Sequence, residues 1–221
     1  MITYSEDFKT NGYVFAEKII PKEICNLVTK YALIQEEVNF QEEGKYAQVP
    51  NSHAMYGDIL METVLSFMLP HMERITGLEL FPTYSYYRVY RPGMILERHK
   101  DRPACEISTT ACFGLKYNNV DENFNWGMYV DKDSRNVPLV DNTYFVSAGN
   151  PGTMIPQNPG DILVYRGCDL EHWREAFDAG PGSYQVQAFF HYINKSGPYY
   201  PEWCFDTRPG VGYPEFSKRD K

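Results

Sequence analysis

At 221 residues the chain is long enough for one domain with a sizeable core. Hydrophobic residues at 43% and aromatic residues at 15% exclude a disordered chain. A net charge of −8 without a long basic run argues against a phosphate-backbone partner, so no nucleic acid is expected.

In chain order, Gly12-Tyr-Val-Phe-Ala16 reads as a short strand. Pro21 sits at the first turn of a helix over about 22–35, where its missing N–H costs nothing. Residues 36–52 are polar and loop-like. Asn51 or Ser52 is the expected cap of a helix from about 53 to 76. Leu60, Val64, Phe67 and Met68 would form its buried face, Pro70 would kink it and Gly77 would end it. From residue 80 the pattern changes to short strands. Tyr84 to Tyr90 is dense in aromatic and β-branched residues, Arg91-Pro92-Gly93 is a turn, and Met94 to His99 is the next strand. Cys105 to Phe113 and Trp126 to Val130 follow, separated by the polar loop 117–125. Residues 131–158 are loop-rich, with a hairpin expected around Thr143–Val146. Ile162 to Tyr165 and Tyr184 to Tyr192 complete the set. Eight or so such strands predict a mainly β fold, a sandwich or jelly roll, with the two N-terminal helices packed on one sheet.

No apolar run approaches a membrane span, and Met1-Ile-Thr-Tyr-Ser-Glu-Asp lacks a signal pattern. Cys25, Cys105, Cys112, Cys168 and Cys204 are odd in number, widely spaced and without a C-x-x-C pair, which suits reduced thiols. The expectation is a soluble cytoplasmic protein with no membrane partner. The sequence does not disclose its oligomeric state.

His99, Lys100 and Asp101 form an H-x-D triplet, and His172 follows about seventy residues later. Two imidazoles and one carboxylate occupy one face of an octahedron and leave the other face open, an arrangement that suits non-haem Fe(II). At a strand end, residues i and i+2 share a face, so His99 and Asp101 grip one ion while Lys100 points away. His53, His71 and His191 have no such context and read as structural.

With these flanks the chain resembles the Fe(II)/2-oxoglutarate-dependent dioxygenases, nearest their prolyl-4-hydroxylase-like branch. The resemblance is carried by Tyr90-x-x-Gly93-x5-His99-x-Asp101 and by Pro159-Gly-Asp-x-Leu-x-Tyr-x6-His172, and by the tail Trp203 to Gly212. It covers roughly residues 10–215 and is specific for the superfamily, not for a substrate. It implies a double-stranded β-helix in a single domain over 1–221. Helical support would span 1–79, the jelly-roll core 80–195 and a C-terminal extension 196–221. It also implies Fe(II) on His99, Asp101 and His172 as the catalytic metal site. The cosubstrate would be 2-oxoglutarate, with ascorbate as a maintaining reductant. The product would be a hydroxylated peptidyl residue, amino acid, nucleobase or metabolite, with release of succinate and CO2.

One feature departs from the family. The cation that usually holds the far carboxylate of 2-oxoglutarate lies on the last strand, where this chain has Ser183-Tyr184-Gln185. Arg174, two residues after His172, is the first substitute, and Arg88, in phase with Tyr90, is the second. Arg166 and Lys116 are weaker substitutes. Tyr90 and Thr109 are further candidates for cosubstrate contact, and Arg102 for orienting Asp101. Trp126, Tyr129 and Trp173 are placed at the barrel mouth, under loops 117–125 and 131–158 acting as lids. The missing cation keeps open a cupin-like metal enzyme that does not use 2-oxoglutarate. A non-catalytic sensing module on the same scaffold is a further alternative.

Overall fold

The computed structural model describes residues 3–40, 48–136, 147 and 149–213. The hairpin expected around Thr143–Val146 lies outside them. A helix that the sequence reading missed comes first: α1 (Tyr4–Asn11). It is short and buries only Phe8, so it lacks a readable stripe. A capping box between Thr3 and Glu6 starts it, and Gly12 at φ 78° ends it. After β1 (Tyr13–Ala16), helix α2 (Lys22–Val38) runs three residues beyond the expected end.

The second predicted helix starts later than expected. Residues His53–Tyr56 form a strand, β2, at the edge of a sheet beside β3 (Leu80–Tyr90). Gly57, at φ 64°, turns the chain, and Asp58 caps α3 (Ile59–Thr76) by accepting from the Met61 N–H at 3.1 Å. The helix continues through Pro70 to Gly77. Val64 and Met68 are buried as expected, but Phe67 shares the solvent face with Ile59 and Thr63 and is 41% exposed.

The remaining strands are β4 (Leu96–His99), β5 (Ile107–Lys116), β6 (Met128–Asp131), β7 (Thr153–Ile155), β8 (Ile162–Arg166), β9 (Glu171–Arg174) and β10 (Tyr184–Asn194). They make two antiparallel sheets, ordered β1-β8-β5-β10-β3-β2 and β4-β9-β6-β7. Pairing of β4 with β9 across the chain closes the smaller sheet over the larger, giving a jelly-roll double-stranded β-helix. The larger sheet has two different faces. Ile107, Ala111 and Phe113 of β5, with Val186, Ala188 and Phe190 of β10, pack against Leu65, Met68 and Met72 of α3. Thr109 has the same strand phase as Ile107 and Ala111. It therefore lies on the helix side, its buried hydroxyl without a hydrogen-bond partner among the described residues, and is not placed to touch a ligand in the barrel.

The C-terminal segment is fastened to this framework by a charge inside it. Glu62 on α3, 1% exposed, accepts from the Ser85 N–H and hydroxyl at 2.7 and 2.9 Å. Its other oxygen takes Arg208 Nη2 at 3.0 Å and the Gly212 N–H at 2.9 Å. Glu62→Ala would leave the Arg208 charge buried without its carboxylate. Chemical denaturation should show a loss of about 3–5 kcal/mol. A midpoint unchanged from the parent would refute that assignment.

Candidate metal centre

β4 and β9 are paired so that His99 stands directly opposite His172, with ring centroids 4.2 Å apart. Asp101 lies just past the end of β4, its N–H donating to the Gly167 carbonyl at 2.9 Å. Its Oδ1 is 3.6 Å from His99 Nε2 and 3.5 Å from His172 Nε2. One ligand atom from each of the three residues falls within 4.8 Å of the others, which is room for one ion. The tautomers agree with that use. His99 Nδ1 faces the Glu97 carbonyl at 2.7 Å, and His172 Nδ1 the Leu170 carbonyl at 2.9 Å. Carbonyls only accept, so both Nδ1 atoms carry the proton and both Nε2 atoms present lone pairs.

Burial on its own would raise the Asp101 pKa. The neighbouring His172 and His99 outweigh it and hold the carboxyl well below the usual carboxylate range. For His99, desolvation first and the adjacent His172 second lower the imidazole pKa. Both shifts favour the metal-ligating forms. Lys100 turns away from the cluster, and its Nζ donates to the Ser134 carbonyl at 2.8 Å.

The outer oxygen of Asp101 is also fixed. Oδ2 accepts from Ser108 Oγ at 2.9 Å. Gly167 passes so close that a Cβ there would run into this Oδ2 and the Cys105 carbonyl oxygen. Gly167→Ala should therefore displace Asp101 and weaken metal binding by about 10–100-fold. Titration with Co(II) measures this, and parental affinity would show that the close approach is unimportant.

A cavity of about 420 Å³ opens beside His99, Asp101 and His172. Tyr84, Tyr86 and Arg88 of β3, Tyr165 of β8, and Phe189 and His191 of β10 form much of its wall. The sequence reading missed most of these and took His191 as structural. Strand phase was the available signal, because Tyr84, Tyr86 and Arg88 alternate in step with Tyr90, and Phe189 with His191.

The other candidates separate. Arg88 is 2% exposed and lines the cavity, with Nη1 donating to the Tyr90 hydroxyl at 3.1 Å and Nε to Ser52 Oγ at 3.1 Å. In the sheet it is the direct partner of Gln187 on the last strand. Arg174 is fully buried but does not line that cavity. It donates to the Trp126 carbonyl at 2.8 Å and to Gln157 Oε1 at 2.7 Å, and its Nε has no hydrogen-bond partner among the described residues. Oriented by its neighbours, the Gln187 amide oxygen also accepts from Arg174 at 3.2 Å. Desolvation lowers the Arg174 pKa, and no carboxylate pairs with it among the described residues. Arg166 lies over the Phe8 ring, and Lys116 is exposed.

Arg102, Trp126 and loop 117–125 lie elsewhere than expected. Arg102 does not orient Asp101. It forms a double contact with Asp206 of the C-terminal segment and lies 4.8 Å from the Tyr84 ring centre. Trp126 is buried, stacked on Phe177 at 4.6 Å and edge-on to Tyr90. Tyr129 and Trp173 stack on each other at 5.2 Å, with Arg98 over Trp173. Loop 117–125 follows Lys116, which pairs with Tyr184 at the start of β10, whereas Ser108 pairs with His191 at the metal end. That loop is at the far end of the barrel and does not cover the metal cavity. Of segment 131–158, residues 137–146 and 148 fall outside the described residues.

No protein-family profile matches the sequence, and no curated protein matches it. Solved structures do match its fold. A prolyl-4-hydroxylase from Pseudomonas putida shares 14% identity over 85% of this chain and 96% of its own, with a TM-score of 0.54. The epimerase SnoN from nogalamycin biosynthesis, solved with Fe3+, alpha ketoglutarate and nogalamycin RO, shares 11% over 97% and 92%, with a TM-score of 0.66. HygX from Streptomyces hygroscopicus, solved with nickel and 2-oxoglutarate, shares 13% over 86% and 85%, with a TM-score of 0.58. The fold is thus that of the Fe(II)/2-oxoglutarate oxygenases, prolyl-4-hydroxylases among them. Among the described residues, no helix is long and apolar enough to cross a membrane.

Proposed function

We propose that the protein is an Fe(II)- and 2-oxoglutarate-dependent oxygenase that hydroxylates a small molecule or peptidyl group. The observation that carries this reading is the convergence of His99 Nε2, His172 Nε2 and Asp101 Oδ1 beside a cavity, on the fold that SnoN and HygX share. Iron held there supplies activation of O2, and 2-oxoglutarate supplies two electrons as it becomes succinate and CO2, so that one oxygen atom reaches a C–H bond.

The chain's own tasks are binding, orientation and exclusion of water. Asp101 and the two Nε2 atoms hold the ion on one face and leave the other for ligands. The far carboxylate of 2-oxoglutarate needs a buried cation and a hydroxyl. Arg88 suits that task better than Arg174. It faces the cavity and is the cross-strand neighbour of Gln187, on the strand where the resembling family carries its cation. The Tyr90 hydroxyl accepts from Arg88 at 3.1 Å and so helps to hold the guanidinium, although Tyr90 itself does not line the cavity. Leu96 and Phe189 line the same space and exclude water. No side chain is needed as general acid or base.

With Fe(II) and ascorbate, the protein should convert 2-oxoglutarate to succinate slowly even without substrate. Iron bound at the triad with no succinate formed would favour the cupin-like reading, which the glutamines at 185 and 187 also suit.

A further inference from the structure

His191 on β10 stands opposite Ser108 on β5, with Nδ1 and Oγ 2.9 Å apart. The proton inventory of this contact fixes the tautomer. A serine hydroxyl has one proton to give. Ser108 Oγ lies 2.9 Å from Asp101 Oδ2 and 3.0 Å from the Cys105 carbonyl oxygen. A carbonyl and a metal-ligating carboxylate only accept, so the hydroxyl proton is committed to them. The contact with His191 is then a hydrogen bond only if Nδ1 carries the proton and donates.

It follows that Nε2 of the neutral ring is a bare acceptor. His191 lines the cavity beside the metal ligands, and Nδ1 carries the ring's only hydrogen bond among the described residues. The Tyr84 ring lies against it, centroids 4.5 Å apart. Burial keeps the imidazole neutral, its pKa lowered to about 4. 2-Oxoglutarate has two carboxylates and a ketone, all acceptors, and so offers nothing to this atom.

We propose that His191 is a specificity-determining residue of the substrate subsite, where its Nε2 accepts a hydrogen bond from an O–H or N–H of a substrate packed against the Tyr84 ring. Molecules that carry only acceptors at that point are excluded, because burying an acceptor against an acceptor leaves both unpaired. This rests on the oxygenase reading only for the identity of the cavity's other occupant.

The test uses the full chain loaded with Zn(II), a diamagnetic occupant of the metal site, and nitrogen-15 NMR of labelled histidines. His191 is expected as the Nδ1–H tautomer between about pH 6 and 8. An Nε2–H ring would overturn the inference. Phenol should move the His191 Nε2 resonance upfield, and its methyl ether anisole should not. Equal shifts with the two probes, or no shift with phenol, would overturn it as well. His191→Asn keeps an N–H for Ser108 and removes the Nε2 acceptor. Its preference for phenol over anisole should fall by about tenfold. A preserved preference refutes the assignment. Failure of the oxygenase reading would show separately, as absent succinate formation with the tautomer intact.

Discussion

His172→Ala is expected to weaken Fe(II) or Co(II) binding by more than about 100-fold. Removing a residue that merely supports a ligand typically costs 10–100-fold, and a ligand itself should cost more. His172 is 1% exposed and inside a strand, with Nδ1 fixed by the Leu170 carbonyl, so its Nε2 is pre-aimed at Asp101 Oδ1. Alanine leaves two ligands and a small cavity in β9, with the β4–β9 pairing unaffected in its backbone. The thermal midpoint of the apo-protein should therefore fall far less than the metal affinity does. Isothermal titration of the parent should give one ion per chain. Full occupancy in the variant would mean that the ion sits elsewhere. The group formed by Asp101, Cys105 and His191, also within 4.8 Å of one another, would then be the place to look.

The clustering of His99, Asp101 and His172 was legible because H-x-D at a strand end is a local pattern, and strand phase decides its geometry. The jelly roll was legible from strand density after residue 80. Legibility failed where tertiary pairing overrides local pattern. His53–Tyr56 carries a helix-compatible sequence, but its backbone is claimed by the free edge of β3. Arg102 follows Asp101 in sequence, yet its carboxylate partner lies 104 residues away on the C-terminal segment. The cavity wall failed for another reason. Tyr84, Tyr86, Phe189 and His191 look like ordinary aromatic strand residues, and only the sheet-to-sheet stacking separates their face from that of Tyr87 and Phe190 in the helix-side core.

The second large effect is expected at Arg88. Arg88→Gln keeps a donor for Ser52 and removes the charge that faces the cavity. If Arg88 holds the far carboxylate of 2-oxoglutarate, the loss is a charge-assisted contact of about 1.5–3 kcal/mol, or roughly 10–100-fold in the KM for 2-oxoglutarate. The kcat of uncoupled succinate formation should change much less, because the carboxylate is far from the reacting C1–C2 bond and is held equally in ground and transition states. Arg174→Gln provides the contrast. Arg174 is tied to the Trp126 carbonyl and to Gln157, and its guanidinium carbon lies 5.8 Å from the Tyr90 ring centre and 4.9 Å from that of Trp126. Its loss should lower the thermal midpoint and leave the KM nearly unchanged. A large KM effect at Arg174 with little at Arg88 would reverse the assignment. The unpaired charge behind Gln187 would then be the true anchor, reached only after Gln187 and Gln157 move aside.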